Sequence, residues 1–179
     1  MPVTVGICIP TYNGARYLKH CLDSALAQTF ADFELLVIDD CSTDSTLDLV
    51  RQYAGSDPRI SVRRNERNLG LVANWNRCVE LARGEWVKFL FQDDLLEPSC
   101  LERMLGASRR DGVDLLVTWR GLVFEDGTPA PIEERYRRYV TAHDLARRWP
   151  GRSMFRPKEF PKCCYGTRPA TVSVNQPRR

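Results

Sequence analysis

The chain has 179 residues, enough for one domain with a sizeable core, and its 43% hydrophobic and 27% charged content is ordinary for a soluble globular protein. The sequence shows no apolar run of transmembrane length, and its Met1-Pro2-Val3 start carries neither a basic n-region nor an h-region. It therefore points to a cytoplasmic protein, with peripheral membrane contact left open. The net charge of +3 is a property of the end of the chain, because residues 150–179 carry +6 and the first 149 carry −3; this argues against a nucleic-acid partner. The seven cysteines contain no C-x-x-C pair, and the two histidines, His20 and His143, lack zinc-type spacing. Cys8, Cys21 and Cys78 fall in apolar patterns and read as small, reduced core residues.

Val3–Ile9 is rich in β-branched residues and predicts the first, central strand. It stops at Pro10-Thr11-Tyr12-Asn13-Gly14, since proline cannot continue a central strand and Asn-Gly is turn chemistry. Leu18, Cys21, Leu22, Ala25 and Leu26 recur at helical spacing to about Gln28, with Asn13 placed as the N-cap. Phe33–Ile38 predicts a second strand ending in Asp39-Asp40. The next helix turns Leu47, Val50, Tyr53 and Ala54 inward, with Ser42 or Thr43 as its cap. Arg59–Arg63 predicts a short third strand. Asn68-Leu69-Gly70 opens a helix whose stripe is Leu71, Val72, Trp75, Val79 and Ala82, and Gly84 closes it. Trp86–Phe91 predicts a strand running into Asp93-Asp94. Pro98 suits the first turn of a helix with Leu101, Met104 and Leu105 inward, and Asp114–Phe124 predicts a last strand. Strands and helices alternate, so the fold class is α/β, a mostly parallel sheet with helices on both faces. Beyond Thr128 the pattern weakens. Ile132–Ala146 reads as one or two short Arg-rich helices, and the chain from Lys158 as an extended or disordered tail.

A parallel sheet places the carboxyl ends of its strands on one edge, with neighbours about 4.8 Å apart. Open α/β sheets bind ligands in the crevice there. Three polar clusters fall on that edge: Pro10-Thr11-Tyr12-Asn13, Asp39-Asp40 and Asp93-Asp94. Each alone is turn chemistry. Together, an aromatic ring and two carboxylate pairs suit a nucleoside diphosphate with a divalent metal. The Tyr12 ring stacks on a base, one carboxylate accepts from a base N–H or a ribose hydroxyl, and a pair holds Mg²⁺ or Mn²⁺ against the diphosphate. No G-x-G-x-x-G and no P-loop is present, so a phosphate bound here needs a metal to neutralise it, which agrees with the acidic clusters.

Ile9-Pro10-Thr11-Tyr12-Asn13-Gly14, Ile38-Asp39-Asp40-Cys41-Ser42-Thr43-Asp44, Asn68-Leu69-Gly70 and Phe89-Leu90-Phe91-Gln92-Asp93-Asp94 follow one another in the order and spacing of a known pattern. The chain resembles the family 2 glycosyltransferases of GT-A fold over roughly residues 3–125. The resemblance implies inverting transfer of a sugar from a UDP- or dTDP-sugar donor to a hydroxyl of a glycan, lipid or protein acceptor, with Mg or Mn, in cell-wall or polysaccharide biosynthesis. It implies that Pro10, Thr11 and Tyr12 line the nucleotide pocket and that Asp40 accepts from the base. It also implies that Asp93 touches ribose and that Asp93 and Asp94 meet the metal. Many members carry an acid two residues before Asp93; Phe91 stands there in this chain, which leaves open which Asp meets the metal.

On this reading residues 1–128 form the nucleotide-sugar-binding domain, 129–157 a partial helical acceptor side, and 158–179 a disordered or altered tail. Inverting transfer needs a general base, usually Asp or Glu, to take the proton from the attacking hydroxyl, and the resemblance implies that this residue lies well after the metal motif. Asp126, Glu133, Glu134 and Asp144 stand in no recognisable motif, and Glu133-Glu134 reads as a solvated helix face with Arg135, Arg137 and Arg138. The catalytic residue is thus unassigned. The alternative is a truncated or non-catalytic fragment that binds nucleotide and metal. A phosphoacceptor signalling domain also uses strand-end Asp pairs, but it needs a later Lys, and none lies between Lys88 and Lys158.

Overall fold

A computed structural model describes residues 3–116 and 122–142. The chain divides into two compact units, with the division between Gly112 and Val113. In the first unit the elements are β1 (Val5–Thr11), α1 (Ala15–Leu26), β2 (Phe33–Asp39), α2 (Thr46–Ser56), β3 (Ile60–Arg64), α3 (Leu71–Leu81), β4 (Trp86–Phe89) and α4 (Cys100–Asp111). The four strands pair in parallel in the order β3-β2-β1-β4, so β1 is central as the sequence predicts and the strand order reverses beside it. The second unit's described helix is α5 (Ala130–Ala142). There Glu133 and Glu134 pair with Arg137 and Arg138 one turn on, at 3.3 and 2.9 Å, and the Arg137 guanidinium lies 5.0 Å over the Phe124 ring.

Two apolar layers sandwich the sheet. Val5, Ile7, Ile9, Leu35 and Val37 pack against Leu18, Cys21, Leu22 and Ala25 of α1, Val50 of α2, and Leu101 and Leu105 of α4. Cys8, Leu36 and Ile38 pack against Cys78 of α3 and Ala82 just beyond it. A sheet covered on both faces needs apolar residues at consecutive positions, and every residue of β1 and β2 is buried. Cys8, Cys21 and Cys78 are fully buried free thiols.

Several boundaries and roles differ from the sequence reading. β1 continues through Pro10 to Thr11. The Cys8 carbonyl accepts from Leu90 N, and Pro10, two residues on and without an N–H to donate, stands where the pairing of β1 with β4 ends. The α3 stripe is rotated. Asn74 and Cys78 face the sheet, whereas Leu71 and Val72 are 66% and 62% exposed. The cause is polar: Asn74 Nδ2 donates to the Ile38 carbonyl at 3.1 Å, which fixes the face that α3 presents. Pro98 lies before the Ser99 cap and outside α4. No described residue of the expected 114–124 strand is in a strand, and residues 117–121 lie outside the described residues.

Gly84 does not cap α3, whose C-cap is Ala82. It lies flat against β1, where an added Cβ would sit 2.1 Å from Gly6 N and 2.6 Å from Val5 C. Those atoms are backbone of the central strand and cannot swing away. Gly84→Ala is expected to destabilise the fold by about 3 kcal/mol, through overpacking, in urea denaturation. An unchanged midpoint would show that this close approach is absent in solution.

Candidate functional site

Register sets Thr11 of β1, Asp39 of β2 and Arg64 of β3 side by side at the carboxyl edge. The β1–α1 and β2–α2 loops leave from there, each through a non-glycine residue in the left-handed region, Asn13 (φ 49°) and Cys41 (φ 64°). Side chains lock the two loops together. Asn13 N donates to Ser42 Oγ at 2.9 Å, Thr43 N donates to Asn13 Oδ1 at 2.9 Å, and Gly14 N donates to Thr46 Oγ1 at 2.8 Å. Asn13, Ser42 and Thr43 therefore bridge loops instead of capping their own helices, whose N-caps are Gly14 and Ser45. Asp44 accepts from Ala15 N and Thr46 N. Burial pushes its carboxyl up, but these hydrogen bonds outweigh it and hold the group below its ordinary range. Asp39 is wholly buried; its Oδ2 accepts from Ser42 N at 3.1 Å and faces Arg64 Nε at 3.5 Å, while Oδ1 has no hydrogen-bond partner among the described residues.

Asp40 organises the other side. It is buried, and its carboxylate accepts from Asn65 Nδ2 (2.7 Å), Leu69 N (2.8 Å) and Gly70 N (2.9 Å). Asn65 Nδ2 also reaches Asn74 Oδ1 at 3.0 Å. The 65–70 loop and the start of α3 thus hang from one carboxylate at the end of β2. Asn74 is not legible as a buried residue because a polar residue in a helical pattern is taken to face solvent, and Asn65 because it lies in a loop between β3 and α3.

The third cluster is held just as closely. Gln92 Oε1 accepts from Thr11 Oγ1 at 2.6 Å and from Tyr12 N at 2.9 Å, and Gln92 Nε2 donates to the Tyr12 carbonyl at 3.3 Å. Behind the turn, the Cys21 thiol donates to the Phe91 carbonyl at 3.3 Å. Burial, reinforced by the charges of Asp94 and Asp93, pushes that thiol up to about 12, so it stays protonated at neutral pH. Further along, Leu96 N donates to Ser24 Oγ, and Gln28 bonds Glu97 O and Leu101 N. Phe91 stacks on Trp75 with ring centroids 4.9 Å apart.

Of the residues singled out from the sequence, Pro10, Thr11 and Asp40 are buried, Tyr12 exposes 46% of its surface, Asp93 is exposed and Asp94 half-buried. Hydrogen bonds link Thr11 and Tyr12 to the residue before Asp93, and Asp40 N donates to the Thr11 carbonyl at 2.8 Å. Among the described residues no three His, Cys, Asp or Glu side chains form a metal-holding group. Asp93 and Asp94 supply two adjacent carboxylates in the turn after β4. Mg²⁺ commonly takes one or two carboxylates, with substrate phosphates and water completing its shell. A cavity of about 350 Å³ lined by Leu26, Gln52, Tyr53, Ser56 and Asp57 contains none of these residues.

A four-stranded parallel sheet with helices on both faces and its polar loops gathered at the carboxyl edge is a ligand-binding α/β domain of the open, doubly wound kind. Comparison narrows the class. Residues 6–169 match the model of glycosyl transferase family 2, and the chain belongs to that family. It is 35% identical over 125 residues to the putative teichuronic acid biosynthesis glycosyltransferase TuaG of Bacillus subtilis, covering 70% of this chain and 50% of that protein. It is 38% identical over 107 residues to a chondroitin synthase of Pasteurella multocida, covering 60% of this chain and 11% of that protein. The crystal structure of S. aureus TarS 1-349 in complex with UDP superposes with a TM-score of 0.62 at 32% identity, covering 70% of this chain and 38% of that one. The fold is therefore of the GT-A type, and the chain spans half or less of the length of these relatives.

The Asp40 network generates a direct test. Asp40→Asn replaces an acceptor facing three donors with a group that must turn an N–H toward one of them. It is expected to cost about 1–3 kcal/mol of stability, measured by urea denaturation. A cost below about 0.5 kcal/mol would mean that the network is not formed, since surface substitutions fall in that range.

Proposed function

We propose that the chain is the donor-binding part of a glycosyltransferase that transfers a sugar, with inversion, from a UDP-sugar to an acceptor hydroxyl. One observation carries this. In a family 2 chain, the backbone of Tyr12, whose ring is exposed at the end of β1, is hydrogen-bonded to Gln92 in the acidic turn at the end of β4. The TarS structures, one in complex with UDP and one with UDP-GlcNAc, support a uridine nucleotide ahead of dTDP.

In this reading the Tyr12 ring packs against the base and Pro10 and Thr11 form the wall behind it. A carboxylate has about four acceptor positions. Asp40 has three donors already, so it has room for one base N–H. Asp93 reaches the ribose, and Asp93 with Asp94 would hold Mg²⁺ or Mn²⁺. The bound ion would neutralise the diphosphate as it leaves. In the transfer the acceptor oxygen bonds to the anomeric carbon as the bond to the diphosphate oxygen breaks, and a base takes the hydroxyl proton. Glu133 and Glu134 are engaged with Arg137 and Arg138, so neither is assigned as that base. No described helix is long and apolar enough to cross a membrane. A second reading, a domain that binds nucleotide and metal without transfer, is favoured by the pairing of Glu133 and Glu134 with Arg137 and Arg138, which leaves no base assigned among the described residues.

Calorimetric titration separates these ideas. UDP is expected to bind more tightly than dTDP and to gain affinity with Mn²⁺. Asp93→Ala and Asp94→Ala are expected to lose that gain by about tenfold or more, the scale of a lost charge-assisted contact. A folded chain that binds neither nucleotide contradicts the donor-site assignment. Binding without release of UDP from UDP-GlcNAc, across glycan acceptors, favours the second reading.

A further inference from the structure

We propose that Gln92 is a positioning residue that couples the end of β1 to the carboxylate pair, so that Tyr12 and Asp93-Asp94 keep one fixed spacing. This deepens the donor-site reading and rests on it. The Tyr12 backbone presents both an N–H and a carbonyl to the β4 turn, and only a group that accepts and donates can satisfy both. The Gln92 carboxamide does so, at 2.9 and 3.3 Å, and its oxygen takes the Thr11 hydroxyl as well, at 2.6 Å. A free Gln side chain loses rotamer entropy when it is fixed, and three bonds to one neighbouring loop offset that cost where a single one would not.

The surroundings are shaped to this one conformation. An added Cβ at Gly14 would lie 2.3 Å from Gln92 Oε1 and 2.6 Å from its Cδ, so the carboxamide occupies the space that a side chain at position 14 would fill. The other ends of the turn are anchored independently, by the Cys21 thiol on the Phe91 carbonyl and by Ser24 Oγ on Leu96 N. Phe91 turns its ring onto Trp75. Between these anchors, the placement of the Asp93-Asp94 pair relative to the end of β1 falls to Gln92. The sequence reading passed over Gln92 because its partners lie 80 and 81 positions away in the chain.

The test is calorimetry of UDP with and without Mn²⁺ on the unchanged chain, Gln92→Ala, Gln92→Glu, Gly14→Ala and the Gly14→Ala/Gln92→Ala double variant, with a thermal melt of each. The Mn²⁺-dependent gain in UDP affinity is expected to fall about tenfold in Gln92→Ala. Gln92→Glu keeps the two accepted bonds and should return to within about threefold of the unchanged chain. Gly14→Ala should match Gln92→Ala, because its methyl group displaces the carboxamide, and the double variant should be no weaker than either single one. A merely structural Gln92 would lower the melting temperature and leave the Mn²⁺ gain intact; that result, or losses that add in the double variant, overturns the inference. If Gln92→Ala does not fold, Gly14→Ala against Gln92→Glu decides on the same criterion. No UDP binding by the unchanged chain overturns the donor-site reading and this inference with it, whereas equal Mn²⁺ gains in the unchanged chain and Gln92→Ala overturn the inference alone.

Discussion

Backbone amides that run past the end of a strand must find acceptors outside the ladder. At the carboxyl edge of this sheet, side chains supply them. Asp40 takes the amides of Leu69 and Gly70, Ser42 and Thr46 take those of Asn13 and Gly14, and Gln92 takes that of Tyr12. Each acceptor lies in a different segment of the chain from its donor. The loops are thereby cross-linked to one another as well as to the strands they leave, and the residues with chemistry to offer sit on a braced rim. Such bracing lowers the ordering cost at the moment of binding.

The two layers beneath the rim make it affordable for the chain to place buried polar groups there. Ile7, Ile9, Leu35 and Val37 on one side and Cys8, Leu36 and Ile38 on the other bury both faces of the central strands. The rim then holds buried groups such as Asp39, Asp40, Asn65 and Asn74. Most of their polar atoms are bonded; Asp39 Oδ1 and Asn65 Oδ1 lack partners among the described residues. Asn74 ties this rim to the fold, since it sets the rotation of α3 through the Ile38 carbonyl and receives Asn65.

The sheet was legible in the sequence because strands buried on both faces read as apolar runs bounded by turn residues, and all four strands lie where Val3–Ile9, Phe33–Ile38, Arg59–Arg63 and Trp86–Phe91 predict, within two residues at each end. The ends slipped because Thr11, Asp39 and Arg64 are polar yet still paired. The gathering of Tyr12, Asp40 and Asp93-Asp94 on one edge was also legible, since it follows from parallel topology alone. The α3 face was not, because Asn74 replaces an apolar residue where the helix meets β2, and hydrophobic periodicity is blind to a satisfied buried amide. Gln92 and Gly14 were invisible for a related reason: their meaning lies in a contact between distant parts of the chain.

The central claim is that this rim is built before any ligand arrives. Amide hydrogen exchange of the unliganded chain, resolved at Tyr12, Asn13, Gly14, Leu69 and Gly70, tests it most directly. The account predicts that these loop amides are protected at a level approaching that of the β1 and β2 amides, and that UDP with Mn²⁺ adds little to it. Exchange of these five at the rate of an unstructured loop, with protection appearing only on addition of UDP and Mn²⁺, would contradict it.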